Sequence, residues 1–215
     1  MTLSGPRRPP RSGKPPNAIV IFVHGYGADG SDLISLADHF APVLPDALFL
    51  SPDAPGMTPH GGREWFPLTM RDPSEYKRGV EAAAPHLDRY IDAELERHSL
   101  DESRLALVGF SQGTMMSLHV GFRRPRPIAA VVGFSGLCAG AQADAVRPAP
   151  TLLVHGTHDE VLPAAFTLQA SQVLGEAGIP VEWHFRPGLG HGIDGEGLGM
   201  AAVHLQTHLS KVPQV

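Results

Sequence analysis

Apolar residues along the chain fall into short, nearly unbroken runs separated by stretches of mixed polarity. Ala18–Val23 (AIVIFV), Leu48–Leu50, Leu105–Val108 (LALV), Ile128–Val132 (IAAVV), Leu152–Val154 and Val181–Phe185 are mostly aliphatic or β-branched. Such runs lack the alternation of a half-exposed strand and predict strands covered on both faces. Between them, helical spacing predicts helices over Ser31–Val43, Arg78–Arg97, Gln112–Phe122, Ala164–Glu176 and roughly Leu198–Ser210. Ser31 or Asp32 is the expected N-cap of the first, and Gly178, ahead of Pro180, the expected stop of the fourth. Pro85 lacks the N–H that a helix interior uses, so the second helix is expected to start there, after a separate turn. Helices inserted regularly between buried strands predict an α/β domain with a mostly parallel central sheet and helices on both faces.

Two segments depart from this pattern. Residues 1–16, MTLSGPRRPPRSGKPP, are Pro-rich and carry Arg7, Arg8, Arg11 and Lys14; they are expected to form a flexible basic leader ahead of a single domain over 17–215. Pro52–Tyr76 is long, rich in Gly and Pro, and contains Trp65 and Phe66. A long irregular segment in a compact domain often carries function, and equally it can be a surface excursion anchored by a buried Trp.

Composition narrows the class. A chain of 215 residues with 42% hydrophobic content suffices for one domain with a substantial core. The formal net charge of -5 is opposite in sign to what a nucleic-acid binder needs. Cys138 is the single cysteine, so no intrachain disulfide can form. The leader lacks the apolar run of a signal peptide or membrane span, which points to the cytoplasm and against stable membrane insertion.

Chemistry enters at Gly109-Phe110-Ser111-Gln112-Gly113. This G-x-S-x-G follows an apolar run and precedes a helical stretch, the context of a nucleophile elbow. There the flanking glycines relieve crowding, Oγ projects from a sharp turn, and the helix N-terminus faces the reaction centre. Gly133-Phe134-Ser135-Gly136-Leu137 also follows a strand but lacks the closing glycine and the helix, so Ser135 is expected to be a strand-end residue.

A serine hydroxyl needs a base, usually a histidine oriented by a carboxylate. On this type of sheet the order along the chain is Ser, Asp or Glu, then His, at the ends of later strands. Asp159, in HGTHDE after Thr151–Val154, and His191, in GLGHG after Val181–Phe185, satisfy that order. Glu160 is the alternative carboxylate. His119 lies eight residues beyond Ser111, about 12 Å along a helix and out of reach, and His184 sits within a strand. His155, His158 and Asp159, or His204 and His208 at i, i+4, could suggest a metal, but neither set has the glutamate or cysteine partners of a common zinc motif, so no metal ligands are assigned. An oxyanion needs backbone donors. The residue after the nucleophile, Gln112, offers one, and Tyr26, in the glycine-rich HGYGADG that follows Ala18–Val23, offers the other.

Taken together, HGYGADGSDL, GFSQG, GTHDEVLP and GLGHGID resemble the acyl-protein thioesterase/carboxylesterase family, also called the phospholipase/carboxylesterase family, from about Ile19 to the C-terminus. The resemblance implies an α/β-hydrolase fold without a large cap domain and cleavage of ester or thioester bonds of small or acyl-chain substrates. It also implies a Ser111, Asp159, His191 triad, oxyanion donors at Tyr26 and Gln112, and neither metal nor organic cofactor. The family's Trp-Phe-Asp element is matched by Trp65-Phe66 followed by Pro67, and Tyr26 stands where Leu is common. Trp65, Phe66 and Leu162 are the expected substrate pocket. Dienelactone-hydrolase-like or peptidase chemistry on the same fold, and a ligand-binding module with a decayed site, are the alternatives. Dienelactone hydrolases usually carry Cys at the Ser111 position. A homodimer is compatible with the sequence.

Overall fold

Continuous apolar runs become strands of one central sheet. The structure, a computed structural model, describes residues 3–69, 72, 74–140 and 147–210. Its elements are β1 (Arg7–Arg8), β2 (Ala18–Val23), α1 (Gly30–Ile34), α2 (Ala37–Phe40), β3 (Ala47–Leu50), β4 (Gly56–Met57), β5 (Arg63–Glu64), α3 (Ser74–His98), β6 (Leu105–Phe110), α4 (Gln112–Gly121), β7 (Ala130–Phe134), β8 (Thr151–Gly156), α5 (Ala165–Glu176), β9 (Val181–Arg186) and α6 (Gly195–Leu209). Seven strands form a sheet in the order β1-β3-β2-β6-β7-β8-β9. All pairings in it are parallel except β1 with β3.

Both faces of the sheet are covered. Along β2, Ile19, Ile21 and Val23 enter a core shared with Leu87 and Ile91 of α3 and Met115 of α4. Ala18, Val20 and Phe22 enter a second core with Phe40 of α2 and Leu205 of α6. The period of two persists, but both sets of side chains are apolar because both faces are packed. Phe22 lies between Phe40 and Phe49, at 5.9 Å from each ring centroid. Burying one such side chain contributes about 1.5–3 kcal/mol.

Several local expectations are corrected. The helix read over Ser31–Val43 is two short helices, α1 and α2. Between them Leu36 N–H bonds Leu33 O and Asp38 N–H bonds Ser35 O, tighter three-residue steps. The N-cap is Asp29, which accepts the Ser31 N–H at 2.7 Å, while Asp32 returns a bond to the Asp29 N–H in a capping box. Helix α3 runs through Pro85 from Ser74, because Pro85 lies on its exposed side while Val80, Ala83, Leu87 and Ile91 pack inward. Water can serve the carbonyl that Pro85 leaves unbonded, and burial of the opposite face outweighs the local cost. Gly178 ends α5 as expected. At φ +73 it donates to Gly175 O, and Ile179 donates to Leu174 O, closing a Schellman motif.

The segment expected to be a flexible leader docks on the sheet from residue 3 onward; Met1 and Thr2 lie outside the described residues. Arg7 and Arg8 pair with Leu50 and Phe49, Ser51 N–H bonds Pro6 O, and Asp53 N–H bonds Ser4 O. Arg7 also bonds Glu94 of α3 at 2.9 Å. The free edge of β3 supplies the backbone partners that a Pro-rich, extended segment can use.

On α4, His119 is buried, and its Nδ1 has no hydrogen-bond partner among the described residues. Burial, then the Arg123 guanidinium, pushes its pKa from 6.5 down to about 4, against a smaller raising effect of the Ala139 backbone. The unfolded chain therefore gains a proton that the native chain refuses, so stability should fall as pH drops from 6.5 toward about 4. Urea midpoints across that window should slope less steeply in His119→Gln; equal slopes would show that another group is responsible.

Candidate active site

The carboxyl ends of β2, β6, β8 and β9 bring the motif residues together. Ser111 joins β6 to α4 at φ +54 and ψ -116, a conformation that ordinary side chains rarely adopt. Its N–H bonds Phe134 O at 2.9 Å, and the Thr114 hydroxyl lies within 2.9 Å of both Gly109 O and Phe134 O, tying the turn to β7. Glycine is required on both sides. A Cβ on Gly109 would overlap the Gly113 backbone, and one on Gly113 would overlap the Val23 carbonyl at the end of β2.

From this turn Ser111 Oγ meets His191 Nε2 at 3.0 Å, and His191 Nδ1 meets Asp159 Oδ2 at 2.8 Å. A carboxylate only accepts, so the imidazole proton belongs on Nδ1, which leaves Nε2 as an acceptor for the serine hydroxyl. The Phe110 ring lies 5.0 Å from the imidazole. The Asp159 side chain is fully buried and that of His191 is 18% exposed. Oδ1 of Asp159 accepts the Val161 and Leu162 N–H groups at 2.9 and 2.8 Å. Burial opposes its ionisation, but the Leu162 N–H, His191 and the Val161 N–H together hold its pKa below the usual carboxylate value. Glu160, the alternative carboxylate, is exposed, and it is Asp159 that meets His191 Nδ1.

The Tyr26 loop borders this turn. A Cβ on Gly25 would lie 3.3 Å from Ser111 Cβ. Gly27 N–H bonds Arg63 O at 2.8 Å and Arg63 N–H bonds Ala28 O at 2.7 Å, so β5 holds the loop. Gly62, at φ +78, sits against Gly27 O with no room for a Cβ.

Trp65, Phe66 and Leu162, expected to line a pocket, are all buried within the core. They support the site from behind. Trp65 N–H bonds Gln112 Oε1 at 2.8 Å, Gln112 Nε2 bonds Phe66 O at 2.7 Å, and Trp65 Nε1 bonds His24 O at 3.0 Å. Positions 70, 71 and 73 of the Pro52–Tyr76 stretch lie outside the described residues. A mostly apolar cavity of about 490 Å³, lined by residues including Tyr76, Leu137, Phe166 and Ala170, touches neither Ser111 nor His191.

Other histidines serve structure. His155 Nε2 lies 2.8 Å from Leu162 O and 3.1 Å from Asp159 Oδ2, and its Nδ1 meets Thr167 Oγ1 at 2.8 Å. His24 is buried, with Nδ1 on Gly25 O and Nε2 accepting the Ala54 N–H at 3.0 Å; burial lowers its pKa and keeps the ring neutral. Sequence reasoning passed over these supports. Their signal was a polar residue at the end of an otherwise apolar strand run, which must find buried partners. Ser135 ends β7 at φ +46, its N–H on Val154 O and its Oγ 3.4 Å from Gly192 O, with no histidine nitrogen bonded to it.

Similarity to known proteins extends along nearly the whole chain. The profile of the phospholipase/carboxylesterase family matches residues 10–209. The chain is 29% identical to the esterase YpfH of Escherichia coli over 92% of its own length and 86% of that protein. It is 27% identical to acyl-protein thioesterase 1 of Gibberella zeae, over 89% and 91% of the two chains. The crystal structure of esterase PE8 superimposes with a TM-score of 0.93 at 36% identity, covering 97% of this chain and all of that one. The Arabidopsis thaliana SOBER1 structure, at 23% identity and a TM-score of 0.80 over 89% of this chain and 99% of its own, shares the fold. Family profile, parallel sheet and elbow thus converge, and the chain belongs to the phospholipase/carboxylesterase family, an α/β-hydrolase of the esterase and thioesterase class.

Proposed function

We propose that the chain cleaves carboxylic esters or thioesters through a covalent acyl-enzyme on Ser111. His191 Nε2 takes the Ser111 proton as Oγ bonds the acyl carbon, and Asp159 stabilises the imidazolium that forms. The carbonyl oxygen becomes an oxyanion held by the Tyr26 and Gln112 N–H groups. The carbon–oxygen or carbon–sulfur bond breaks as His191 returns the proton to the leaving group. Water, deprotonated by the same nitrogen, attacks the acyl-enzyme, and Ser111 Oγ leaves with that proton. Nucleophile, base and orienting carboxylate all come from the chain, so these steps call for no metal or organic cofactor.

The observation that carries this reading is the unbroken series from Ser111 Oγ through His191 to Asp159, at 3.0 and 2.8 Å, on a strained turn. A fluorophosphonate probe followed by peptide mapping tests it. A single adduct on Ser111 is expected; an adduct on Ser135, or none on protein that turns over p-nitrophenyl esters, would overturn it. A chain-length series of p-nitrophenyl and thioester substrates then sorts small from acyl-chain substrates. One domain acting in the cytoplasm fits the single Cys138 and the absence, among the described residues, of a helix long and apolar enough to cross a membrane.

The proposed Tyr26 donor depends on β5. Gly62→Ala should push Gly27 away and lower kcat by about 10–100-fold through misplacement of the neighbouring N–H, with little change in the circular dichroism spectrum. An unchanged kcat would mean that this loop adjusts freely.

A further inference from the structure

The two edges of the central sheet are finished differently. On one side β3 is covered by β1, a two-residue strand of Arg7 and Arg8 flanked by Pro6, Pro9 and Pro10. Short length, charge and proline are the usual protections of an edge against pairing with another chain. On the other side β9 ends the sheet with six residues, VEWHFR, and no described strand covers it. Trp183 at its centre is 42% exposed, and Val203 on the adjacent face of α6 is 66% exposed.

The backbone of β9 fixes which groups are available. Thr151 N–H bonds Pro180 O and Thr157 N–H bonds Arg186 O, so the even-numbered residues turn their polar groups toward β8. By alternation, Val181, Trp183 and Phe185 present N–H and C=O groups outward. We infer that β9 is a homodimerisation edge, pairing antiparallel with β9 of a second copy about a two-fold axis at Trp183. In that register every outward N–H and C=O finds a partner, because Trp183 faces the partner's Trp183 and Val181 faces the partner's Phe185. A shift by one pair would set Val181 against the partner's Pro187, which has no N–H.

The side chains fit the same register. Glu182 would stand opposite the partner's His184, in the non-hydrogen-bonded position where side chains approach most closely. Within one chain Glu182 Oε1 and His184 Nε2 already lie 2.7 Å apart, so two copies would build a cluster in which carboxylates alternate with imidazoles. On the other face Trp183, whose ring lies 5.1 Å from Phe185, would meet its own counterpart in an aromatic ladder. Val203, beside a groove that Glu182, His184 and Met200 also line, would be covered by the flanking α6 of the partner. A second copy is the occupant to which this edge is complementary, because an isologous interface must satisfy itself.

Sedimentation velocity on the full chain, from low-micromolar to hundreds-of-micromolar concentration, tests the inference. A monomer–dimer equilibrium is expected. His184→Glu sets like charges opposite one another and should raise the dissociation constant by about tenfold, while the exchange Glu182→His/His184→Glu should restore it. Trp183→Arg, which places two cations on the axis, should raise it at least as much. Thermal melts check that the variants fold, and if His184→Glu does not, Trp183→Arg decides alone. A wild-type chain that stays monomeric throughout, a dimer indifferent to Trp183→Arg, or a folded exchange variant no better than His184→Glu would overturn the proposal.

Discussion

Ser111→Ala should lower kcat toward p-nitrophenyl esters by at least about 10⁴-fold and abolish the burst of acyl-enzyme. No neighbouring hydroxyl can substitute. Ser135 Oγ lies 3.4 Å from a carbonyl and has no bond to His191. His191→Ala should cost a similar factor, since an unassisted hydroxyl is a poor nucleophile at neutral pH. The double variant should be no slower than either single one, because the two groups act as a unit and the residual rate belongs to the oxyanion donors. Single-turnover kinetics on the three proteins provides the check; additive losses would show that Ser111 and His191 act independently.

Gly113→Ala should be the most damaging small substitution for stability, at about 3 kcal/mol or more. The added methyl would fall on the Val23 carbonyl, with the His24 carbonyl also within contact. Both are backbone oxygens at the carboxyl end of β2, so neither can rotate aside. Helix α4 would have to lift from β2, carrying Gln112 away from the Tyr26 loop. Urea titration reads the stability loss and esterase assays read the displacement. A variant within about 1 kcal/mol of the parent, the ordinary scale of a surface change, would show that α4 shifts at little cost.

The strands of the central parallel sheet were legible because burial on both faces leaves unbroken apolar runs, and each lies within a few residues of its expected place. That Ser111, Asp159 and His191 would meet was legible because each sits at a strand end in the order this type of sheet uses. Strand β1 was not, since Arg7-Arg8 between prolines has no apolar pattern and depends on the β3 edge. The continuity of α3 through Pro85 was equally hidden, because the packing of Leu87 and Ile91 decides it and propensity does not. Trp65 and Phe66 stood out within an irregular segment, but their supporting hydrogen bonds to the Gln112 side chain were not legible, since they join backbone groups to a residue more than forty positions away.

That support has a practical side for anyone exchanging loops among relatives of this chain. The middle positions of a G-x-S-x-G motif look free to vary, yet the Gln112 side chain is committed, oxygen and nitrogen both, to the backbone of Trp65 and Phe66. A transplanted segment that does not offer one donor and one acceptor at that spacing would leave a buried amide stranded beside Ser111. The loop and Gln112 are therefore one inheritable part and should be moved together.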